Sequence, residues 1–266
     1  MSSLTIAVVA EEQADQVVIE ATLTAMVPGD LRVLRLQPEP TGQLEAGPAN
    51  ATPEVRPQGW CGVFEWCLKY RRGEGGDLED HPLLTASRPD LLILHLDADV
   101  ADAKYTYCRK KIVAEAAALG ALPCVDPCPP PCPPVQPPAD ALEIVLRSWL
   151  SPTAIGPCTV ICIPSKAIDS WVAAALPDDS GIKIEGDIEC DPDMPARLEA
   201  LRGKLAVKRK RVGQYKHKRS SEYRKHATRI TAEWSRICER CSQARRFHKD
   251  LLSAVEYLGL GGASSR

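Results

Sequence analysis

The sequence predicts an α/β protein: a mostly parallel, Rossmann-like sheet followed by a basic helical C-terminal region. Three observations carry that expectation. Four short apolar runs, at Thr5–Ala10, Leu31–Leu36, Leu91–Leu96 and Thr159–Ile163, alternate with stretches of helical spacing, and such alternation belongs to doubly wound sheets. Beyond Pro195 the alternation stops and only helical periodicity remains. Charge changes character at the same place: Arg197–Asp250 holds 18 Lys/Arg against 5 Asp/Glu, while the rest of the chain holds 15 against 30.

Taken in order, TIAVVA (Thr5–Ala10) reads as a buried parallel strand ending at Glu11. Residues 13–26 place Val17, Val18, Ala21 and Met26 at helical spacing, and Pro28-Gly29 stops them. LRVLRL (Leu31–Leu36) is a second strand. Residues 38–58, rich in Pro, Gly, Asn and Gln, suit a long surface loop, and Trp60–Tyr70 is again helical. The run LLILHL (Leu91–Leu96) leads straight into Asp97-Ala98-Asp99. Residues 102–118 form a helix candidate, and 123–138 carries nine prolines with Cys124, Cys128 and Cys132, which excludes helix and central strand. Ala139–Leu150 is an amphipathic helix, Thr159–Ile163 a fourth strand and Lys166–Leu176 a short helix before Pro177. From Tyr223 through Ala227, Ile230, Trp234, Ile237, Cys241, Ala244 and Phe247 to Leu251 the apolar residues step by three or four. The expected organisation is therefore an α/β domain at 1–190, with a Pro/Cys-rich loop at 123–138, and a basic helical region at 191–266.

Composition excludes several classes. At 266 residues and 44% hydrophobic the chain can bury a proper core. No apolar run approaches the ~20 residues of a membrane span. The opening MSSLTIAVVAEEQ lacks the basic segment of a secretory signal, so a cytoplasmic location is expected. Eleven cysteines are too dilute for a disulfide framework, and reduced thiols, some buried, are the expectation. The triplet Cys124, Cys128, Cys132 is proline-spaced, and Cys238/Cys241 lies mid-helix. Neither arrangement resembles the two close pairs of a structural zinc site.

In open α/β sheets function gathers at the carboxyl ends of strands. Two of the four predicted strands end in acids, Glu11 in one case and Asp97 with Asp99 in the other. Carboxylates crowded in one crevice need protons or a cation, and hard oxygen ligands suit Mg²⁺ or Mn²⁺. The competing reading is that Glu11 and Asp97 only cap helices at strand-to-helix turns.

Three motifs in order sharpen this choice. Val8-Val9-Ala10-Glu11-Glu12-Gln13-Ala14-Asp15 resembles the first motif of the Toprim domain, the metal-binding fold shared by topoisomerases, primases and overcoming-lysogenization-defect (OLD) nucleases. Leu94-His95-Leu96-Asp97-Ala98-Asp99 resembles its second motif, a strand running into Asp-x-Asp. Ile161-Cys162-Ile163-Pro164 followed by Ile168-Asp169-Ser170-Trp171 looks like the third, a strand and an acid-x-Trp helix. The resemblance covers roughly residues 4–175 and departs at Glu12, where the family usually has glycine. It implies a phosphoryl-transfer site in which Glu11 binds metal or acts as general acid/base and Asp97 and Asp99 hold Mg²⁺. Asp169 would serve a second metal, with Glu12 and Asp15 in support.

Other features point to a polyanion. The run Arg202–Arg219 offers Lys208, Arg209, Lys210, Arg211, Lys216, Lys218 and Arg219 as phosphate contacts, with Tyr215 placed to stack on a base. His95, His226 and His248 read as structural. No tyrosine stands out as a topoisomerase nucleophile, no primase module is present, and no G-x-x-x-x-G-K-[ST] loop occurs. The expectation is thus a Mg²⁺-dependent nuclease acting on DNA in preference to RNA, with RNA left open as a second substrate. By analogy with the family it would work in bacterial defence or repair beside a separate ATPase subunit, and an oligomer is allowed. The alternatives are a non-catalytic Toprim-derived docking subunit, or an α/β enzyme for a phosphorylated small molecule.

Overall fold

The computed structural model describes residues 3–27, 29–38, 59–72, 88–101, 103–108, 110–119, 132–150, 155–182, 186–212 and 215–260. Within them β1 (Leu4–Val9), β2 (Leu31–Gln37), β3 (Leu91–His95) and β4 (Thr159–Cys162) form one sheet, in the order β2-β1-β3-β4. Every neighbouring pair is parallel. The chain leaves β1 toward β2 on one side and returns as β3 on the other, so the strand order reverses between β1 and β3. Such a reversal opens a crevice at the carboxyl ends of the two strands.

Side chains alternate across the sheet with period two and give each face its own core. Leu4, Ile6 and Val8 of β1, with Leu91, Ile93, Val160 and Cys162, pack against α1 (Gln13–Met26), α5 (Asp169–Ala175) and the C-terminal helices. Ala7, Val9, Leu92 and Leu94 pack against α2 (Trp60–Arg72), α3 (Lys110–Leu119) and α4 (Gln136–Trp149). The α/β expectation, with its parallel sheet, is met. Helix α4 begins at Gln136, three residues before the expected start, because Pro137 and Pro138 occupy its first turn, where a missing N–H costs nothing. The helix expected over 102–118 starts only at Lys110, after a 3₁₀ turn at Tyr105–Tyr107. The expected loop at 38–58 lies, apart from residue 38, outside the described residues, as do residues 123–131 of the Pro/Cys-rich segment with Cys124 and Cys128.

The region beyond Pro195 is not purely helical. After α6 (Met194–Ala200) the basic run forms an antiparallel hairpin, β5 (Arg209–Val212) with β6 (Tyr215–Lys218), which pairs Arg209 with Lys218 and Lys210 with His217. The long apolar stripe is likewise broken into α7 (Ser220–Arg224), α8 (Ala227–Ala232), α9 (Trp234–Arg240) and α10 (Ser242–Tyr257). Its residues are nonetheless buried, Ala227 only partly, because the backbone turns at His226, Glu233 and Cys241 keep the stripe against α1, α5 and β4. Trp171 of α5 anchors this layer, with its ring 5.7 Å from Trp234 and 5.9 Å from Phe247. These helices share one continuous core with β1 and α1.

The thiol expectation is corrected. Cys61–Cys108 and Cys132–Cys190 are disulfides, with Cα atoms 5.6 and 5.4 Å apart, a separation that a disulfide spans. Cys67, Cys162, Cys238 and Cys241 are free thiols. No helix among the described residues is long and apolar enough to cross a membrane.

Candidate metal centre

The crevice between β1 and β3 collects the predicted acids. Glu11 follows β1 and is buried, and its Oε1 accepts the Asp97 backbone N–H at 2.8 Å. Gly59 closes behind it, donating its N–H to the Glu11 carbonyl at 3.1 Å with φ +67°, a conformation that favours glycine. Asp97 follows β3 and is also buried. Its Oδ1 accepts the Ile168 N–H at 2.9 Å, and the next two residues donate backbone N–H groups to Pro164 and Lys166. The segment after β4 therefore fixes the Asp97-Ala98-Asp99 turn.

Carboxylate oxygens of Glu11, Asp97 and Asp99 lie within 4.8 Å of one another. Burial, and then the charges of Asp97, Asp99 and Asp15, push the Glu11 carboxyl well above its ordinary range. Asp99 stands exposed at the lip, but its carboxyl is set among protein atoms beside Asp97. Lost hydration, and then the Asp97 charge, push it up to about 7. Burial would raise Asp97 too, but Lys218 and His95 outweigh it and hold that carboxyl below its usual range.

Lys218 is the member that sequence reasoning misplaced. It was expected on a nucleic-acid surface, yet its side chain is 5% exposed and points into the acids. Its Nζ donates to Asp15 Oδ1 at 2.7 Å and Asp97 Oδ2 at 3.0 Å, and lies 3.2 Å from Asp169 Oδ2. Three anions outweigh the cost of burying the ammonium and raise its pKa well above the ordinary lysine value. Arg209, its cross-strand partner, also turns inward, 3.8 Å from Asp169. Lys208, Lys210, Arg211, Lys216 and Arg219 stay exposed. The side chain of Tyr215 lies outside the described set.

Glu12, at the position where the resembled motif has glycine, reaches the hairpin instead of the crevice. Its Oε2 accepts the Lys218 backbone N–H at 2.7 Å, and its Oε1 lies 3.5 Å from His217 Nδ1. Asp15 Oδ2 accepts the Glu12 N–H at 2.9 Å, which leaves Oδ1 for Lys218. Asp169, expected at a second metal, accepts the Tyr223 hydroxyl at 2.6 Å and faces Lys218 and Arg209. His95 is a core residue as expected, but its Nε2 also lies 3.2 Å from Asp97 Oδ1. Tyr223 was legible only as part of the apolar stripe. Strand alternation in the basic run does not single out Lys218 and Arg209, because Arg211 and Lys216 share their faces yet stay exposed.

The donor set Glu11, Asp97, Asp99 fits a hard divalent cation. All the ligands are oxygen, two are buried, and their mutual spacing is one that metal–oxygen bonds of about 2.0–2.6 Å can bridge. It is the only such group among the described residues, and no cysteine belongs to it. Compared with protein-family models, curated proteins and solved structures, the chain matches none.

Proposed function

We propose that this chain is a Mg²⁺- or Mn²⁺-dependent, Toprim-type nuclease that cleaves phosphodiester bonds in DNA. One observation carries the reading: Glu11, Asp97 and Asp99 converge at the strand-order reversal with carboxylate oxygens within 4.8 Å, and two of them have raised pKa values. Such a cluster is electrostatically incomplete without protons or a cation. A bound divalent ion would polarise the phosphate and lower the pKa of its water. Glu11, held by the Asp97 N–H, would bind the ion or act as general acid/base toward the attacking water. Asp97 stays ionised at neutral pH because Lys218 favours its charged form. The exposed cations Lys208, Lys210, Arg211, Lys216 and Arg219 supply the phosphate-backbone contacts.

The family analogy adds a separate ATPase subunit and a role in bacterial defence or repair. Those points rest on the resemblance alone. A nucleic-acid-binding subunit without catalysis is the second reading, and a specific pairing favours it. Lys218 already neutralises Asp97, and Glu12 serves to hold the hairpin.

The deciding experiment incubates the protein with plasmid and with single-stranded DNA, in Mg²⁺, Mn²⁺ or EDTA, beside Asp99→Ala. Metal-dependent cleavage that the variant loses supports the nuclease. Salt-sensitive binding with no cleavage, identical in the variant, selects the second reading.

A further inference from the structure

The acids of the crevice divide into two halves that share Asp97. In the first half, Glu11 Oε2 and the Asp99 carboxylate accept no hydrogen bond from any described residue. In the second half every carboxylate oxygen has either a hydrogen bond or a facing cation, and Asp169 Oδ2 has only the latter. Asp15 takes the Glu12 N–H on Oδ2 and Lys218 on Oδ1. Asp97 takes the Ile168 N–H on Oδ1 and Lys218 on Oδ2. Asp169 takes the Tyr223 hydroxyl on Oδ1, with Lys218 3.2 Å and Arg209 3.8 Å from Oδ2.

We infer that the Lys218 ammonium is a built-in cation that fills the Asp15/Asp97/Asp169 half, so that the centre takes a single divalent ion, held by Glu11, Asp97 and Asp99. This deepens the metal-site reading above and rests on it. The geometry leaves the second ion no room. A cation bonded to Asp15, Asp97 and Asp169 at about 2.0–2.2 Å would lie in the space that Nζ occupies, 2.7–3.2 Å from the same oxygens. Nor can the ammonium easily swing away. The Lys218 backbone is tied to Glu12, its strand is paired at Arg209, and its side chain is enclosed. Withdrawing it would leave three buried carboxylates facing one another with only Arg209 nearby, a cost that a buried ion pair does not survive. Asp169 is therefore a positioning residue for Lys218 and not a metal ligand.

The test counts ions. Mn²⁺ binding to the full chain is followed by the electron paramagnetic resonance signal of the free ion, for the wild type and for Lys218→Met, with circular dichroism as the fold check. The expected result is one ion per chain in the wild type and two in Lys218→Met, because the vacated carboxylates then accept a cation. Two ions in the wild type, or one in a folded Lys218→Met, overturn the inference while leaving the metal-site reading intact. No ion in the wild type overturns that reading and the inference with it. Should Lys218→Met fail to fold, Asp169→Asn and Asp99→Asn decide the matter. Asp99→Asn should weaken Mn²⁺ binding by at least about tenfold and Asp169→Asn by less than about threefold; equal losses would make Asp169 a ligand and overturn the inference.

Discussion

Lys218 Nζ lies 3.0 Å from Asp97 Oδ2, joining residues 121 positions apart. The pair locks the hairpin β5–β6 onto the carboxyl end of β3. A lysine from the most basic stretch of the chain thereby becomes the counter-ion of three buried acids. Truncating it strands Asp15, Asp97 and Asp169 without their ammonium. Lys218→Ala should cost about 3–5 kcal/mol of stability in urea unfolding. Loss of less than about 1 kcal/mol, the range of a surface pair, would show that the lysine does not occupy the crevice.

Asp99 sets a pH dependence. Its folded pKa, about 7, stands above its ordinary 3.8, so between those values the folded chain keeps a proton that the unfolded chain has lost. Stability therefore falls as pH rises through 7, and Glu11, raised chiefly by burial, acts in the same direction. In EDTA the Tm should drop between about pH 5 and pH 8, and Asp99→Asn should flatten the slope. Mg²⁺ should raise the Tm more at the alkaline end, where it no longer competes with protons. A metal-free Tm that rises over this interval would contradict the assignment.

The hairpin's outward cations are separable from its inward ones. Replacing Lys208, Lys210 and Arg211 by Glu should leave the melting temperature nearly unchanged, since all three are exposed. The same change should weaken DNA binding and reduce its salt dependence by about one unit of slope per cation removed. Unchanged affinity and slope in fluorescence anisotropy across a salt series would place the nucleic-acid surface elsewhere.

Trp171 joins the two parts of the chain. It is fully buried between Trp234 and Phe247, so Trp171→Ala should cost about 3–5 kcal/mol by opening a cavity between α5 and the C-terminal helices. Denaturant unfolding watched by far-ultraviolet circular dichroism and by fluorescence should lose stability together in both signals. A variant that unfolds α7–α10 alone, leaving the sheet intact, would show that the shared core does not couple them.

The sheet was legible in the sequence because its signal is local. TIAVV and LLILH are short apolar runs, and burial on both faces requires that composition of a central parallel strand, whereas the half-buried edge strand LRVLRL keeps arginines among its apolar residues. The acids that end β1 and β3 were legible for the same reason, since Glu11 and Asp97 follow their strands directly. Helix ends were harder where proline chemistry intervened, as at Gln136, and where a 3₁₀ turn displaced α3 to Lys110.

The sequence alone determined the α/β class, the four strands and the candidacy of Glu11, Asp97 and Asp99. Only the tertiary structure decided which cation meets which acid. Charge density along the chain marks 202–219 as basic but cannot say that Lys218 and Arg209 face inward while Lys210 faces out. That choice depends on the hairpin register and on Glu12 holding the Lys218 backbone from 206 residues away. Periodicity fixes the face a side chain takes within its own element, whereas the partner across the crevice is fixed by how the elements pack. The disulfides Cys61–Cys108 and Cys132–Cys190 follow the same logic, for spacing in the chain carries no record of which Cα atoms end about 5.5 Å apart.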